Sequence, residues 1–254
     1  MQSRNEKEIS ECEVQIVYED ADVLAVNKPS GLAVHADGKT NEPTLADWIL
    51  HTRPALAEVG ERGRLPDGRE FPRPGIVHRL DRQTSGIMVI AKNQKAFEFL
   101  KNEFKNRRVK KVYNAFVYGQ LPEKQGTITL PIGKSRKNFP LWSAEKDARG
   151  TLREAITEYR VLASTPQFSF VEVSPKTGRT HQIRVHFKAL RHPIVCDKLY
   201  APNRPCELGF KRLALHALSL ELALPSGIRI KLETPLPPDF EKAERALSQN
   251  NNLR

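Results

Sequence analysis

The sequence lacks any apolar run near the ~18 residues that a membrane-spanning helix needs. Its opening residues, Met1-Gln-Ser-Arg-Asn-Glu-Lys-Glu, hold no apolar core, so no signal peptide is expected there. Cysteine is scarce. Cys12, Cys196 and Cys206 are odd in number and widely spaced, so neither a disulfide framework nor a CxxC metal site is expected, and the setting expected is a reducing cytoplasm. A Walker loop, a Gly-x-Gly-x-x-Gly turn and a Gly-x-Ser-x-Gly elbow are all missing from the sequence. Zinc deamination of a nucleobase would need His-x-Glu followed by Pro-Cys-x-x-Cys. Pro205-Cys206 is followed by Glu207-Leu208-Gly209, so the second cysteine of that pair is absent. What remains is metal-free chemistry built on a carboxylate.

What the sequence has in excess is positive charge. The 254 residues carry a formal net charge of +11, and a pI near 9.7. A domain above pI ~9 carries the usual electrostatic footprint of a nucleic-acid binder. Many soluble proteins are merely basic, and charge alone does not choose between the two. The length fits one large domain or two small ones, with room for a sizeable core.

Periodicity places the elements. Residues 1 to 13 are polar and expected as a frayed tail, and one catalytic domain is expected over 14–250. Val14 to Tyr18 and Val23 to Val26 read as strands of a hairpin turned by Glu19-Asp-Ala-Asp22. Asn27-Lys28-Pro29-Ser30-Gly31 is a turn signal, and Thr44 to Leu50 opens with a capping residue and reads as a short helix. Residues 52–75 are rich in Pro, Gly, Arg and Glu and read as a long surface loop. Ile87 to Ile90 is a buried strand, and Gln94 to Arg108 a helix with Phe97, Leu100 and Phe104 along one stripe.

Further strands are expected over Val112 to Tyr118, Thr127 to Leu130, Ala155 to Leu162, Phe168 to Val173, Leu213 to Leu224 and Ile228 to Leu232. Residues 133–153 mix basic side chains with Phe139 and Trp142 and read as a mobile loop. Thr180 is expected to cap a helix from His181 to about Leu190, and Asp239 opens a last amphipathic helix. Strands outnumber helices and several are joined as hairpins, so the fold class is α+β with a largely antiparallel sheet.

Two stretches are dense in groups that can do chemistry. In Ile76-Val-His78-Arg79-Leu-Asp81-Arg82-Gln-Thr84-Ser85-Gly86 a carboxylate, two arginines, a histidine and two hydroxyls fall within nine positions between apolar runs. Asp81 alone would read as an Asx turn. Arg79 and Arg82 on either side favour its charged form and a nucleophilic role. In Gly178-Arg179-Thr180-His181-Gln182-Ile183-Arg184-Val-His186 the donors gather at a helix N-terminus, where an anion or a fixed carboxylate is favoured. A solvated helix face is the plain alternative. Arg184 has the fork geometry to pair with Asp81. Tyr113, behind Lys110-Lys111, is either a core aromatic or a ring that stacks on a base while the lysines meet phosphate. Lys28-Pro-Ser-Gly31 and His35 are adequately explained as a structural turn.

These stretches resemble the RluA-type pseudouridine synthases. His78-Arg-Leu-Asp81-Arg-Gln-Thr84-Ser85-Gly86 is similar to that family's signature, and Val26 to His35 to its opening segment. Lys111-Val-Tyr113-Asn-Ala resembles its tyrosine motif, Gly178 to His186 its arginine motif, and Leu215-His216-Ala217 a late strand motif. The motifs stand in family order across roughly residues 14 to 235. The resemblance implies the pseudouridine synthase fold, a mixed and largely antiparallel sheet flanked by helices and loops around a central RNA-binding cleft. It implies isomerisation of uridine in structured RNA, rRNA or tRNA, after base flipping, with no cofactor and no metal. A monomer with no membrane partner is expected.

Residue by residue, Asp81 matches the nucleophilic aspartate, Tyr113 the tyrosine that stacks on the target base, and Arg184 the arginine that pairs with the aspartate. Arg79 matches the arginine that displaces the target base, and Ile183 lines the pocket. His181, Arg179 and Lys111 are the remaining substrate-binding candidates. His192 to Ala201 departs from a family stretch that usually carries glycine where Cys196 and Ala201 stand, which touches the local turn and not the chemistry. The S4-type RNA-binding domain of many relatives is not expected, so RNA selection falls to the catalytic domain, with the 133–153 and 52–75 loops as candidates.

A non-catalytic RNA-binding or ribosome-assembly protein would share the charge and the loops. Such a protein has no need for Asp81, Tyr113 and Arg184 together. A carboxylate-dependent nucleosidase is a second rival, against which the long basic surface favours polymeric RNA.

Overall fold

The computed structural model describes residues 9, 12–36, 38, 40–65, 68–136 and 141–251. In chain order its elements are β1 (Gln15–Glu19), β2 (Val23–Lys28), α1 (Leu45–Thr52), β3 (Gly63–Arg64), β4 (Glu70–Phe71), β5 (Ser85–Ala91), α2 (Gln94–Lys105), β6 (Lys110–Tyr118) and β7 (Gln125–Ile128). There follow β8 (Ile132–Ser135), β9 (Trp142–Ser143), β10 (Ala148–Arg153), β11 (Thr157–Ser164), β12 (Phe168–Pro175), α3 (Gln182–Ala189), β13 (Leu215–Ala223), β14 (Arg229–Glu233) and α4 (Pro238–Asn251). The mix is α+β with a mostly antiparallel sheet, as the pattern of elements required. Chain contacts divide it into two compact units, Met1–Lys110 with Ser219–Thr234 and Lys111–Leu218 with Pro235–Arg254. Most of the expected tail falls outside the described residues.

In the first unit β1, β2 and β5 lie side by side, β2 pairing with β5 from Val23↔Ala91 to Lys28↔Gly86. Asp20 shapes the hairpin turn by accepting the N–H groups of Asp22 and Val23 at 2.8 and 2.6 Å. Every residue of β5 is buried, which is why its sequence runs apolar without alternation. Gly75 brings the chain against this strand. It stands at φ 62°, and a Cβ there would lie 2.1 Å from the Ala91 carbonyl oxygen, so only glycine fits. Thr44 caps α1 in a capping box closed by Asp47. Asn93 caps α2, which buries Ala96, Phe97 and Leu100. That helix stops at Lys105, before the expected Arg108, because Arg107 turns left-handed at φ 58°. Residues 52–75 are less irregular than expected. Pro54–Leu56 form a 3-10 turn, β3 pairs with β4, and Glu70 bridges Arg62 and Arg64.

In the second unit the strand order is β6-β12-β11-β7, all antiparallel. Phe116 of β6 stacks on Phe170 at 4.5 Å between ring centres, and Phe210 and Phe240 close around Phe116 at 5.3 and 5.5 Å. Phe240, Ala243 and Leu247 of α4 complete this core together with Phe187 of α3. Such aromatic contacts each contribute about 0.5–1.5 kcal/mol beyond their buried area.

Three expectations are corrected in this unit. The first is the 133–153 loop, which folds as a small antiparallel sheet, β10-β8-β9, apart from residues 137–140, which lie outside the described set. Its strands are too short and polar to show a period. Buried side chains fix it instead: Asp147 accepts the hydroxyls of Ser135 (2.7 Å) and Ser143, and Leu141, Trp142 and Ala144 pack on Ile132, Ala155, Val185 and Tyr200. The second is the start of α3. Its N-cap is His181 at φ 56° with no side-chain cap, not Thr180. The Gln182 amide oxygen accepts the Arg179 N–H at 3.0 Å and the Thr177 hydroxyl at 2.7 Å, which ties the turn before the helix to its first residue. The third is the cysteines, of which Cys196 and Cys206 are joined as a disulfide. Pairing of this kind has no signature in the spacing.

His216 lies fully buried beside Phe240. Burial, and then the Arg212 charge, push its pKa down to about 4, against an opposing pull from Asp239 and the Pro235 carbonyl. An unfolded histidine binds its proton near pH ~6.5. The folded one resists until about 4, so stability is whole above pH ~6.5 and is lost as the pH falls toward 4. A shift of this size corresponds to a loss on the order of 3 kcal/mol. Buried His186 is shifted in the same direction. Thermal melts between pH 7 and 4 are expected to show a steep loss that His216→Gln flattens; parallel curves for the two proteins would contradict this.

Candidate active site

Asp81 sits half-buried on the loop between the Ile76↔Ile90 bridge and β5. The Thr84 N–H donates to the Asp81 carbonyl at 3.0 Å, closing a turn, and the buried Thr84 hydroxyl meets no partner. The neighbouring histidine is structural. His78 Nε2 accepts the Val89 N–H at 3.0 Å, which places its proton on Nδ1, and its ring stacks on Phe104 at 4.4 Å.

A second loop braces this turn. Lys28, at the end of β2, is fully buried. Its ammonium donates to the carbonyls of Pro29 (2.8 Å), Leu32 (2.8 Å) and Arg82 (3.3 Å). Gly31 and Arg82 exchange hydrogen bonds at 2.9 Å, and the Ser30 hydroxyl donates to the Gln83 carbonyl at 2.7 Å. Lys28-Pro-Ser-Gly31 is indeed a turn, and its function is to hold the backbone on the C-terminal side of Asp81. Arg82 also pairs with Glu42. Exposed Arg79 donates to His35 Nε2 at 3.1 Å, while His35 Nδ1 faces the Ala36 carbonyl at 3.1 Å. The arginines flanking Asp81 in sequence are therefore tied in part to the loops around it.

The other candidates belong to the second unit. Tyr113 lies on β6 opposite Val173, half-buried against the aromatic core. Lys111 Nζ donates to the Thr177 carbonyl at 3.3 Å, and Arg179 Nε to the Glu154 carbonyl at 2.9 Å. His181 Nδ1 is 2.8 Å from the Tyr200 hydroxyl. Ile183 is buried in the core. Arg184 is 7% exposed, which rules out a solvated helix face. It pairs bidentately with Asp197, Nε to Oδ2 and Nη2 to Oδ1, both at 2.8 Å.

The start of α3 is fixed by a buried polar chain. Gln182 Nε2 donates to Thr157 Oγ1 at 2.9 Å, and His186 Nδ1 faces that hydroxyl at 2.9 Å. His186 Nε2 lies 2.9 Å from the Leu130 carbonyl. A carbonyl can only accept, so Nε2 carries the proton and Nδ1 accepts from Thr157. Burial lowers the pKa of His186, which keeps it in that neutral form.

Sequence reasoning missed Lys28, Asp197 and Tyr200 as supporting residues. For the last two the only signal was their place in the His192 to Ala201 stretch. Among the described residues no group of three or more His, Cys, Asp or Glu side chains is placed to hold a metal ion, and no helix is long and apolar enough to cross a membrane.

Residues 22–189, which include Asp81, Tyr113 and Arg184, match the family described as RNA pseudouridylate synthase. The chain belongs to that family. It is similar to an uncharacterized RNA pseudouridine synthase of Synechocystis, 38% identical over 233 residues, which span 90% of this chain and 67% of the relative. It is 36% identical over 227 residues to the ribosomal large subunit pseudouridine synthase D of Borreliella burgdorferi, covering 89% of this chain and 66% of that protein. Among solved structures, human RNA pseudouridylate synthase domain containing 1 superposes with a TM-score of 0.69 at 29% identity, over 89% of this chain and 84% of the other. As an RNA pseudouridine synthase by family, the chain is an isomerase.

Lys28→Met keeps the stem and removes the ammonium, leaving the three carbonyls it serves without their donor. A buried group stripped of its hydrogen-bond partner costs about 1–3 kcal/mol. Urea unfolding is expected to show at least that loss for Lys28→Met; an unchanged midpoint would contradict the bracing role.

Proposed function

We propose that this synthase converts specific uridines of structured RNA to pseudouridine with Asp81 as its nucleophile. The observation that carries the proposal is the bracing of the Asp81 turn from the Lys28–Leu32 loop, which holds the backbone beside one carboxylate by hydrogen bonds to the Arg82 and Gln83 carbonyls. The reaction breaks the N1–C1′ bond, turns the uracil and joins its C5 to C1′, with the C5 hydrogen leaving as a proton and N1 taking one up. It needs a positioned nucleophile, a base held against loss of orientation, and fixed counter-charge.

Tyr113 stacks on the flipped base, and Arg184 supplies counter-charge to the reaction. Ile183 lines the pocket. Arg79, exposed two positions before Asp81, fills the place left by the flipped base. Lys111, Arg179 and His181 contact the RNA backbone. On the family resemblance no metal or cofactor takes part. Ribosomal RNA is the first target to test, given the name of the Borreliella relative; tRNA is the second.

Pseudouridine mapping of cellular RNA incubated with the protein tests this. Wild type is expected to add pseudouridine at discrete positions, and Asp81→Asn to slow the conversion by roughly 10⁴-fold or more, as removal of a nucleophile does. An unchanged map for both proteins, with RNA binding retained, would identify a non-catalytic RNA-binding protein instead.

A further inference from the structure

Arg184 is a long side chain at the start of α3, and its guanidinium is placed by a carboxylate that the proposed chemistry does not use. The side chains of Arg184 and Asp197 are 8% and 0% exposed. Buried ion pairs are a poor source of stability, because the desolvation of both charges offsets their attraction. A pair kept at that cost calls for another reason.

The surroundings of Asp197 supply one. Besides the two Arg184 bonds, Oδ1 accepts the N–H groups of Leu199 at 3.0 Å and Tyr200 at 3.1 Å. With these N–H donors around it the carboxylate is an anchor, not a base. Its loop is tied at both ends. Cys196, immediately before it, is bonded to Cys206. The Tyr118 hydroxyl accepts the Cys196 N–H at 3.2 Å and donates to the Pro205 carbonyl.

The loop also reaches the N-cap of α3. The Tyr200 ring lies 5.0 Å from the Arg184 guanidinium carbon, and its hydroxyl meets His181. The backbone is left-handed on both sides of the pair, at His181 (φ 56°) and Cys196 (φ 59°). Non-glycine residues in this region store strain that the surroundings must over-determine, and such strain gathers at functional sites.

We propose that Asp197 is a positioning residue for the isomerisation: it fixes the orientation of the Arg184 guanidinium, with Tyr200 and the tied 196–206 loop as its support. The inference rests on the function proposed above. One edge of the guanidinium is committed to Asp197, and the direction in which the rest can act follows from that commitment. Misplacement of a catalytic group by about 1 Å can reduce a rate about 10²-fold.

Single-turnover conversion of a uridine-containing RNA substrate tests the assignment. Asp197→Asn keeps the size and one acceptor oxygen but loses the charge. It is expected to lower the single-turnover rate about 10²-fold with RNA affinity unchanged, as for an interaction that acts in the transition state alone. In an Arg184→Lys background the same substitution is expected to add no further loss, since residues acting as one unit are not additive.

A purely structural role would instead lower the melting temperature, leave the rate of the folded protein unchanged, and persist with Arg184→Lys. Should Asp197→Asn not fold, Asp197→Glu decides: it keeps the charge, moves the carboxylate outward, and is expected to slow turnover likewise. A wild-type rate in the folded variant, or a loss undiminished by Arg184→Lys, overturns the assignment while wild-type activity leaves the proposed function standing. If wild type itself forms no pseudouridine, the function falls and this inference falls with it.

Discussion

A lysine ammonium buried without exposure holds the turn that carries Asp81. Taking such a charge out of water is unfavourable by several kcal/mol unless hydrogen bonds replace the lost hydration. Here the carbonyls of Pro29, Leu32 and Arg82 converge on it. The arrangement cannot relax piecemeal, because a shift of either loop would strand the ammonium or its acceptors. The β2–β5 register, which sets Lys28 opposite Gly86, delivers the lysine to that point. Strand pairing, loop path and the backbone beside Asp81 thus depend on one buried cation.

The second unit uses the same principle. Here Gln182, Thr157, His186 and Asp197 are buried and hydrogen-bonded, and they stand beside residues expected to work on RNA. Gln182, Thr157 and His186 form one chain into the start of α3, and Asp197 gathers Arg184, Leu199 and Tyr200 around one carboxylate. Networks of this kind rigidify when every member is satisfied and fail when one is not. Rigid support is what a reaction driven by placement and counter-charge requires.

Much of this was legible in the sequence, for identifiable reasons. β5 announced itself because a strand buried on both faces must be apolar throughout, and the Phe97–Leu100 stripe of α2 because a helix repeats every 3.6 residues. The 178–186 stretch was singled out by its density of donors, and the structure buries most of it. The small β8–β10 sheet was not legible, since Asp147, Ser135 and Ser143 fix it through side chains and leave no period. The cap of α3 was misassigned because His181 turns left-handed at that position and no side chain caps the helix. Lys28 looked like an ordinary turn residue, as only the third dimension brings Arg82 to it. Asp197 and Cys206 carried no pattern that pointed to their partners, which lie ten or more residues away in the chain.

The carboxylate chemistry proposed for Asp81 and the hydrolysis of a nucleosidase both break the N-glycosidic bond and differ in what happens to C5. RNA carrying tritium at uridine C5 separates them in one assay. The account predicts that tritium passes into water in step with pseudouridine formation and that no free uracil appears. Uracil released with its tritium intact, leaving an abasic RNA, would contradict it.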